Sequence, residues 1–163
     1  MIVKMYGTIG ANSEIVLKEY CKKFRFHYQE VDENGARDAL NKGRPVVARF
    51  YLDEYQWKAF SEFWNKKENK KKVMKANDLP SGYWFAWFRS IKVDGHAISL
   101  ISHSKDGLRF LNSWGCKWGD GAFFKVKDAQ VLGKMKFYDI YFYESDLTQD
   151  EKAAWKRFSQ HPC

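Results

Sequence analysis

Proline, cysteine and long apolar runs are all scarce in this chain, and each scarcity excludes a class of protein. Three prolines and 11 glycines in 163 residues are too few for a collagen-like or low-complexity chain. The longest wholly apolar run is Tyr83 to Phe88, far short of the ~20 residues a membrane helix needs. Met1 to Glu14 has no continuous apolar core and does not read as a secretory signal; no membrane partner is expected, and the compartment stays open. Three cysteines, Cys21, Cys116 and Cys163, odd in number and widely spaced, form neither a disulfide framework nor a zinc pattern. The patterns G-x-x-x-x-G-K-[ST], G-x-G-x-x-G and H-E-x-x-H are also missing. Phosphate-cradling and zincin chemistry fall with them, and no cofactor or metal is expected.

Aromatic residues, by contrast, are plentiful: 7 Trp, 9 Tyr and 13 Phe, within a hydrophobic share of 45%. Such a chain has the apolar area to offset ordering entropy. Its length suits one domain, expected over 1–163, that buries roughly 70% of its extended-chain surface. The net charge of +8 suggests an acidic partner until the charge is located. Asn65 to Lys75 holds Lys66, Lys67, Lys70, Lys71, Lys72 and Lys75 against Glu68, and so supplies +5 of the +8. A lysine run between elements is usually a solvated loop or helix end. This one has no arginine for bidentate base contacts and no interleaved aromatics, so nucleic acid is not the expected partner.

Along the chain, Asn12 or Ser13 can cap a first helix whose stripe is Leu17, Tyr20, Cys21 and Phe24. Asp32 can cap a second, through Ala36, Ala39 and Leu40, which Gly43 ends. Pro45 opens Val46 to Leu52, a β-rich run. Trp57, Phe60 and Trp64 recur at helical spacing, and a stripe of this kind is core more often than a ligand box. Ser81 to Phe88 reads as a buried strand, an exposed interaction patch or an artefact of a mis-spliced gene model. The second half reads as strands: Gly95 to Ser102 with His96, Ile98 and Leu100 on one face, then Leu108 to Leu111, Ala122 to Lys127 and Phe137 to Tyr143. Lys105-Asp106-Gly107 suits a three-residue hairpin loop with Gly107 left-handed. Thr148 to Glu151 forms a capping box for a closing helix that presents Trp155 and Phe158. Helices first and strands second, with no βαβ alternation, predicts an α+β fold with an antiparallel sheet.

The chemistry gathers at Gly95-His96-Ala97 and at Asn112-Ser113-Trp114-Gly115-Cys116-Lys117-Trp118-Gly119-Asp120-Gly121-Ala122-Phe123. An amide oxygen accepting a ring N–H fixes the tautomer and direction of a general base. A satisfied core histidine beside a turn asparagine reads the same way. Local geometry favours neither reading: a loop over Lys105 to Gly107 sets Asn112 opposite Leu100. His96 then lies four residues away, about 13 Å at ~3.3 Å per residue.

These residues resemble the carboxy-terminal half of papain-like cysteine peptidases. There a [DGN]-H-[AG] strand bears the catalytic histidine, and N-S-W-G-x-x-W-G-x-x-G-[YF] its asparagine. Around Asp120 and Gly121 the glycine that the pattern sets before its aromatic is displaced by one residue. Upstream, Glu33-Asn34-Gly35-Ala36 to Pro45-Val46-Val47 is similar to the helix and G-P-V strand of the same domain. The resemblance implies a barrel-like antiparallel domain with flanking helices, its core over about 32–143, and a helical extension over 144–163. It implies His96 as the imidazole that pairs with a thiolate, Asn112 as its orienter and Trp114 as the shelter of their hydrogen bond.

The family's nucleophile sits on an amino-terminal helix, well over a hundred residues before the histidine, in a setting like Q-x-x-x-C-x-[SA]-C-[WY]. Only 95 residues precede His96. Cys21, in Glu19-Tyr20-Cys21-Lys22-Lys23, has no glutamine before it and no aromatic after it. Its apolar stripe also opposes a lowered thiol pKa, so it is not the expected nucleophile. Cys116 falls at a non-catalytic position of the signature, and Cys163 is terminal. Two expectations remain. One is a cysteine-type peptidase, incomplete here, whose partner is the missing amino-terminal domain and whose substrate is polypeptide. The other is a stand-alone pseudopeptidase that binds protein without cutting it. A third is a binder of acidic polymers through the lysine run. The family is often lysosomal or secreted, but the chain itself carries no address.

Overall fold

Val46 to Asp53 buries Val46, Ala48, Phe50 and Leu52 on one side and half-buries Val47, Arg49 and Tyr51 on the other, and the helices are arranged about that strand. The computed structural model describes residues 13–80, 93–133 and 135–160. They form α1 (Ser13–Phe24), β1 (His27–Val31), α2 (Glu33–Asn41), β2 (Val46–Asp53), α3 (Glu54–Asn65), β3 (Val93–Ser104), β4 (Gly107–Leu111), β5 (Phe123–Val126), β6 (Lys136–Tyr141) and α4 (Gln149–Gln160). All strand pairs are antiparallel, in one six-stranded sheet of order β1-β6-β2-β3-β4-β5. The fold is α+β, as the order of helical and strand signals predicts. Among the described residues no helix is long and apolar enough to cross a membrane. Ser81 to Phe88, the cap Asn12, Cys163 and the side chains of Trp155 and Phe158 lie outside the described part.

On one face of the sheet, Val46, Ala48, Phe50 and Leu52 of β2 pack with Ala36 and Ala39 of α2 and Phe60 and Trp64 of α3. On the other, Leu17 and Cys21 of α1 pack on Tyr138, flanked by Tyr28, Val47 and Ile140. Both contacts follow from the period-2 alternation of strands meeting the 3.6 period of helices. In α1 the stripe is shifted from the expected one: Val16 is buried, and Phe24 is exposed and stacks on Tyr20.

Caps explain where the helices start. The Asp32 carboxylate accepts the Gly35 N–H at 2.8 Å, and α2 gives way to Gly43 at φ +71°. The Asp53 carboxylate accepts the Gln56 N–H at 2.8 Å while Gln56 Oε1 accepts the Asp53 N–H at 3.2 Å. That reciprocal pair turns the strand directly into α3, so Trp57, Phe60 and Trp64 land beneath the sheet. Thr148 and Glu151 make the same box at α4. The Arg25 guanidinium grips Glu151 at 2.6 and 2.7 Å and ties α4 to the end of α1.

Two local expectations are corrected. Ser104 pairs with Gly107, so the hairpin loop is Lys105-Asp106, and Gly107 opens β4 instead of sitting in the turn. Its φ is +151°, and a Cβ there would overlap the Val126 carbonyl oxygen, so close approach of β5 is what demands glycine. A bulge then shifts the register between Leu100 and Ser102, after which Leu111 pairs with Ser99. β6 also stops at Tyr141, short of Tyr143, because the Tyr143 N–H donates to Asp146 Oδ2 at 2.8 Å in a tight turn.

Since Asp53 both ends β2 and seats α3, Asp53→Ala is expected to lower stability by about 1 kcal/mol in denaturant unfolding. Asp53→Asn, which keeps an acceptor, is expected to lose less.

Candidate functional site

His96 sits on β3 opposite Phe50 of β2, on the face that buries Ile98 and Leu100. Asn112 follows the last residue of β4, and its N–H donates to the Ala122 carbonyl at 2.9 Å. The two-residue loop and the bulge together move Asn112 along the sheet. With Leu111 against Ser99, Asn112 runs on towards Ile98, not Leu100, leaving about 7 Å of strand to His96 instead of ~13 Å. The side chains close that gap: His96 Nε2 and Asn112 Oδ1 lie 2.8 Å apart.

The proton on that bond can be assigned. The Ser113 backbone N–H donates to Asn112 Oδ1 at 2.8 Å. A backbone N–H only donates, so the amide oxygen is the atom turned to both neighbours, and His96 Nε2 must be the donor. In the neutral ring Nδ1 is then left with its lone pair, and it has no hydrogen-bond partner among the described residues. Burial disfavours the imidazolium and pushes the His96 pKa below its ordinary value of 6.5, while the Asn112 hydrogen bond opposes the shift. The arrangement is an oriented, neutral imidazole with a free basic nitrogen.

Aromatic rings hold it. The Trp114 ring lies 4.7 Å from the imidazole at 31°, and is 42% exposed. Trp57 and Phe50 meet the imidazole edge-on at 6.0 and 5.8 Å. Trp57 Nε1 donates to the Asp94 carbonyl at 3.3 Å, two residues before the histidine. Trp118 meets Trp114 at 5.0 Å and 87°, and packs below on Phe60 and Phe124. Sequence reasoning placed Trp57 in the core stripe and missed that it borders His96. Its spacing of three from Phe60 was the only signal, and that spacing does not reveal which strand lies above.

The loop from Asn112 to Phe123 holds a second unforeseen residue. Ala122 adopts φ +76°, a conformation that favours glycine. It stays there because its N–H donates to the Trp118 carbonyl and its carbonyl accepts from Asn112, each at 2.9 Å. The backbone that positions the asparagine is therefore strained at an alanine.

The two cysteines among the described residues stand apart from this arrangement. Cys21 packs against Tyr138 on the opposite face of the sheet, and burial pushes its thiol pKa up. Cys116 is exposed in the loop and makes no hydrogen bond to His96. Among the described residues no group of three His, Cys, Asp or Glu side chains could hold a metal ion.

No protein-family profile matches the sequence, and no curated protein sequence matches it. Among solved structures, xylellain, a cysteine protease from Xylella fastidiosa, is 17% identical over 72% of this chain and 40% of its own, with a TM-score of 0.46. The bromelain protease from Ananas comosus is 15% identical over 71% of this chain and 50% of its own, with a TM-score of 0.42. A cysteine protease from Carica candamarcensis is 18% identical over 71% of this chain and 49% of its own, with a TM-score of 0.40. The chain spans half or less of the length of these proteins.

Two outcomes follow. The folded-state pKa of His96 lies below its unfolded value, so on acidification the unfolded chain takes up that proton first. The contribution of His96 to stability is therefore complete above about pH 6.5 and is lost as pH falls towards the folded pKa. Urea unfolding across this window is expected to show a decline that His96→Gln reduces. Ala122→Gly is expected to relieve the left-handed alanine and raise stability by up to about 1 kcal/mol, measured by thermal unfolding.

Proposed function

We propose that this chain is the histidine-bearing part of a papain-like cysteine peptidase, acting on polypeptide. One observation carries the reading: the 2.8 Å bond from His96 Nε2 to Asn112 Oδ1, with the amide pinned by the Ser113 N–H. It leaves Nδ1 as the base that a thiol needs. The family resemblance of Gly95 to Ala97 and Asn112 to Phe123 supports the same assignment.

In this reading the thiol comes from a segment beyond those described here, and its proton passes to His96 Nδ1. The resulting thiolate attacks the peptide carbonyl carbon while the imidazolium returns the proton to the departing amine. His96 then takes a proton from water as the thioester is hydrolysed. A thiolate beside the ring would stabilise the imidazolium that burial now disfavours. Asn112 keeps the ring in line through both transfers, and Trp114 keeps water from the Asn112 bond. A second reading, a pseudopeptidase that binds protein without cutting, is favoured by Cys21 lying on the far face of the sheet with a raised thiol pKa.

The native polypeptide, recovered from its source with an antibody to the carboxy-terminal half, separates the two. The peptidase reading expects a species larger than 19.3 kDa that reacts with a thiol-directed peptidyl probe. His96→Ala is expected to slow that reaction by roughly 10²- to 10⁴-fold, and Asn112→Ala by less. A species of 19.3 kDa that ignores the probe overturns catalysis and leaves the binding reading.

A further inference from the structure

Positive charge collects along β5, the edge strand of the sheet. The lysine run returns to that edge. Met74, fully buried, donates its N–H to the Lys125 carbonyl and accepts the Lys127 N–H, each at 2.9 Å. Lys70 Nζ donates to the Lys117 carbonyl at 3.5 Å, and Lys127 Nζ to the Lys105 carbonyl at 3.1 Å. Lysines of the hairpin, the Trp114 loop and β5 are thus joined to those of the run. Where their ammonium groups have partners these are neutral oxygens, Asn69 Oδ1 at 2.8 Å from Lys72 Nζ being the third. The Lys and Arg ion pairs of the described residues, Arg25 with Glu151, Arg37 with Glu33, Arg44 with Asp139 and Lys136 with Glu30, involve none of these lysines.

Glu68 lies within the run and Asp78 Oδ2 accepts the Lys75 N–H, but neither pairs with a lysine ammonium, so the excess of like charge repels and an anionic partner removes that repulsion. We propose that this edge binds an acidic polypeptide segment, rich in Asp and Glu. The choice of polypeptide rests in part on the peptidase reading, because Lys117 belongs to the loop that carries Asn112 and Trp114. It rests also on chemistry. Lysines act as point charges that neutralise carboxylates, and the tract offers neither a free guanidinium fork nor the stacking platforms that single-stranded nucleic acid requires. Arg109, the nearby arginine of β4, lies over the Phe123 ring at 4.3 Å.

The test is fluorescence anisotropy of a fluorescein-labelled oligoglutamate with the full chain. Binding is expected to weaken steeply between about 10 mM and about 100 mM salt, as the screening length falls from ~30 Å to ~10 Å. Lys71, Lys75 and Lys117 are exposed, so the triple change Lys71→Gln, Lys75→Gln and Lys117→Gln should leave the fold intact by circular dichroism. It is expected to weaken binding about tenfold, exposed pairs contributing roughly a factor of two or more each. The same charge removed from α1, by Lys18→Gln, Lys22→Gln and Lys23→Gln, is expected to leave affinity within about twofold. No binding, equal loss in both triple variants, or tighter binding of an oligonucleotide of equal charge overturns the proposal. None of these readouts needs a thiol or His96, so the peptidase reading fails or stands separately.

Discussion

The ring of Phe60 joins the hydrophobic core to the histidine. Its centroid lies 5.4 to 6.4 Å from those of Phe50, Trp57, Trp64, Trp114, Trp118 and Phe124. Those partners come from β2, α3, the Trp114 loop and β5, so one side chain sets the spacing of four segments. Aromatic pairs contribute about 0.5–1.5 kcal/mol each beyond area burial when edges meet faces, and Phe60 meets Trp57, Trp64, Trp114 and Phe124 at 69° to 89°. Directional contacts of this kind resist sliding better than aliphatic ones. His96 inherits that rigidity through Trp57 and Trp114.

The same packing sets the proton chemistry. A ring enclosed by Trp57, Phe50 and Trp114 loses the solvation that an imidazolium needs, and Asn112 returns only part of it. Left so, His96 favours the neutral form, with the proton at Nε2 and the base at Nδ1. A negative charge brought to Nδ1 would reverse the preference without moving the ring, since Asn112 accepts from Nε2 in either state. Orientation is thus built into the described residues, and among them no negative charge is hydrogen-bonded to the imidazole.

Much of the frame was legible because it follows local rules. Asp32 and Thr148 announce helix starts by capping, Gly43 a stop, and Val46 to Leu52 a strand by β-branched and aromatic content. The contact between His96 and Asn112 was not legible from spacing. It depends on a bulge beside Ile101 and a loop one residue shorter than the expected three, and both are features of strand pairing that no local pattern reports. Trp57 was hidden for a related reason: a helical stripe names the residues that turn inward, not the strand residue each one meets. Met74 was hidden because Val73 and Met74, two apolar residues among lysines, are too few to show a period.

Three local costs meet beside His96, while others, such as the left-handed Arg25 and the unpartnered buried Trp64 Nε1 and Asp139 Oδ1, lie elsewhere. Ala122 holds a left-handed backbone conformation, Asn112 is 3% exposed with Nδ2 buried and without a partner, and Trp114 leaves a large ring open to solvent. An unsatisfied buried donor costs about 1–3 kcal/mol, and a residue in a sparsely populated backbone region about 1–3 kcal/mol. Each departure bears on the same bond: Ala122 receives the Asn112 N–H, Asn112 turns its oxygen to His96, and Trp114 lies against the imidazole. In the peptidase reading proposed above, those three costs are what it takes to hold the imidazole in line for a thiol.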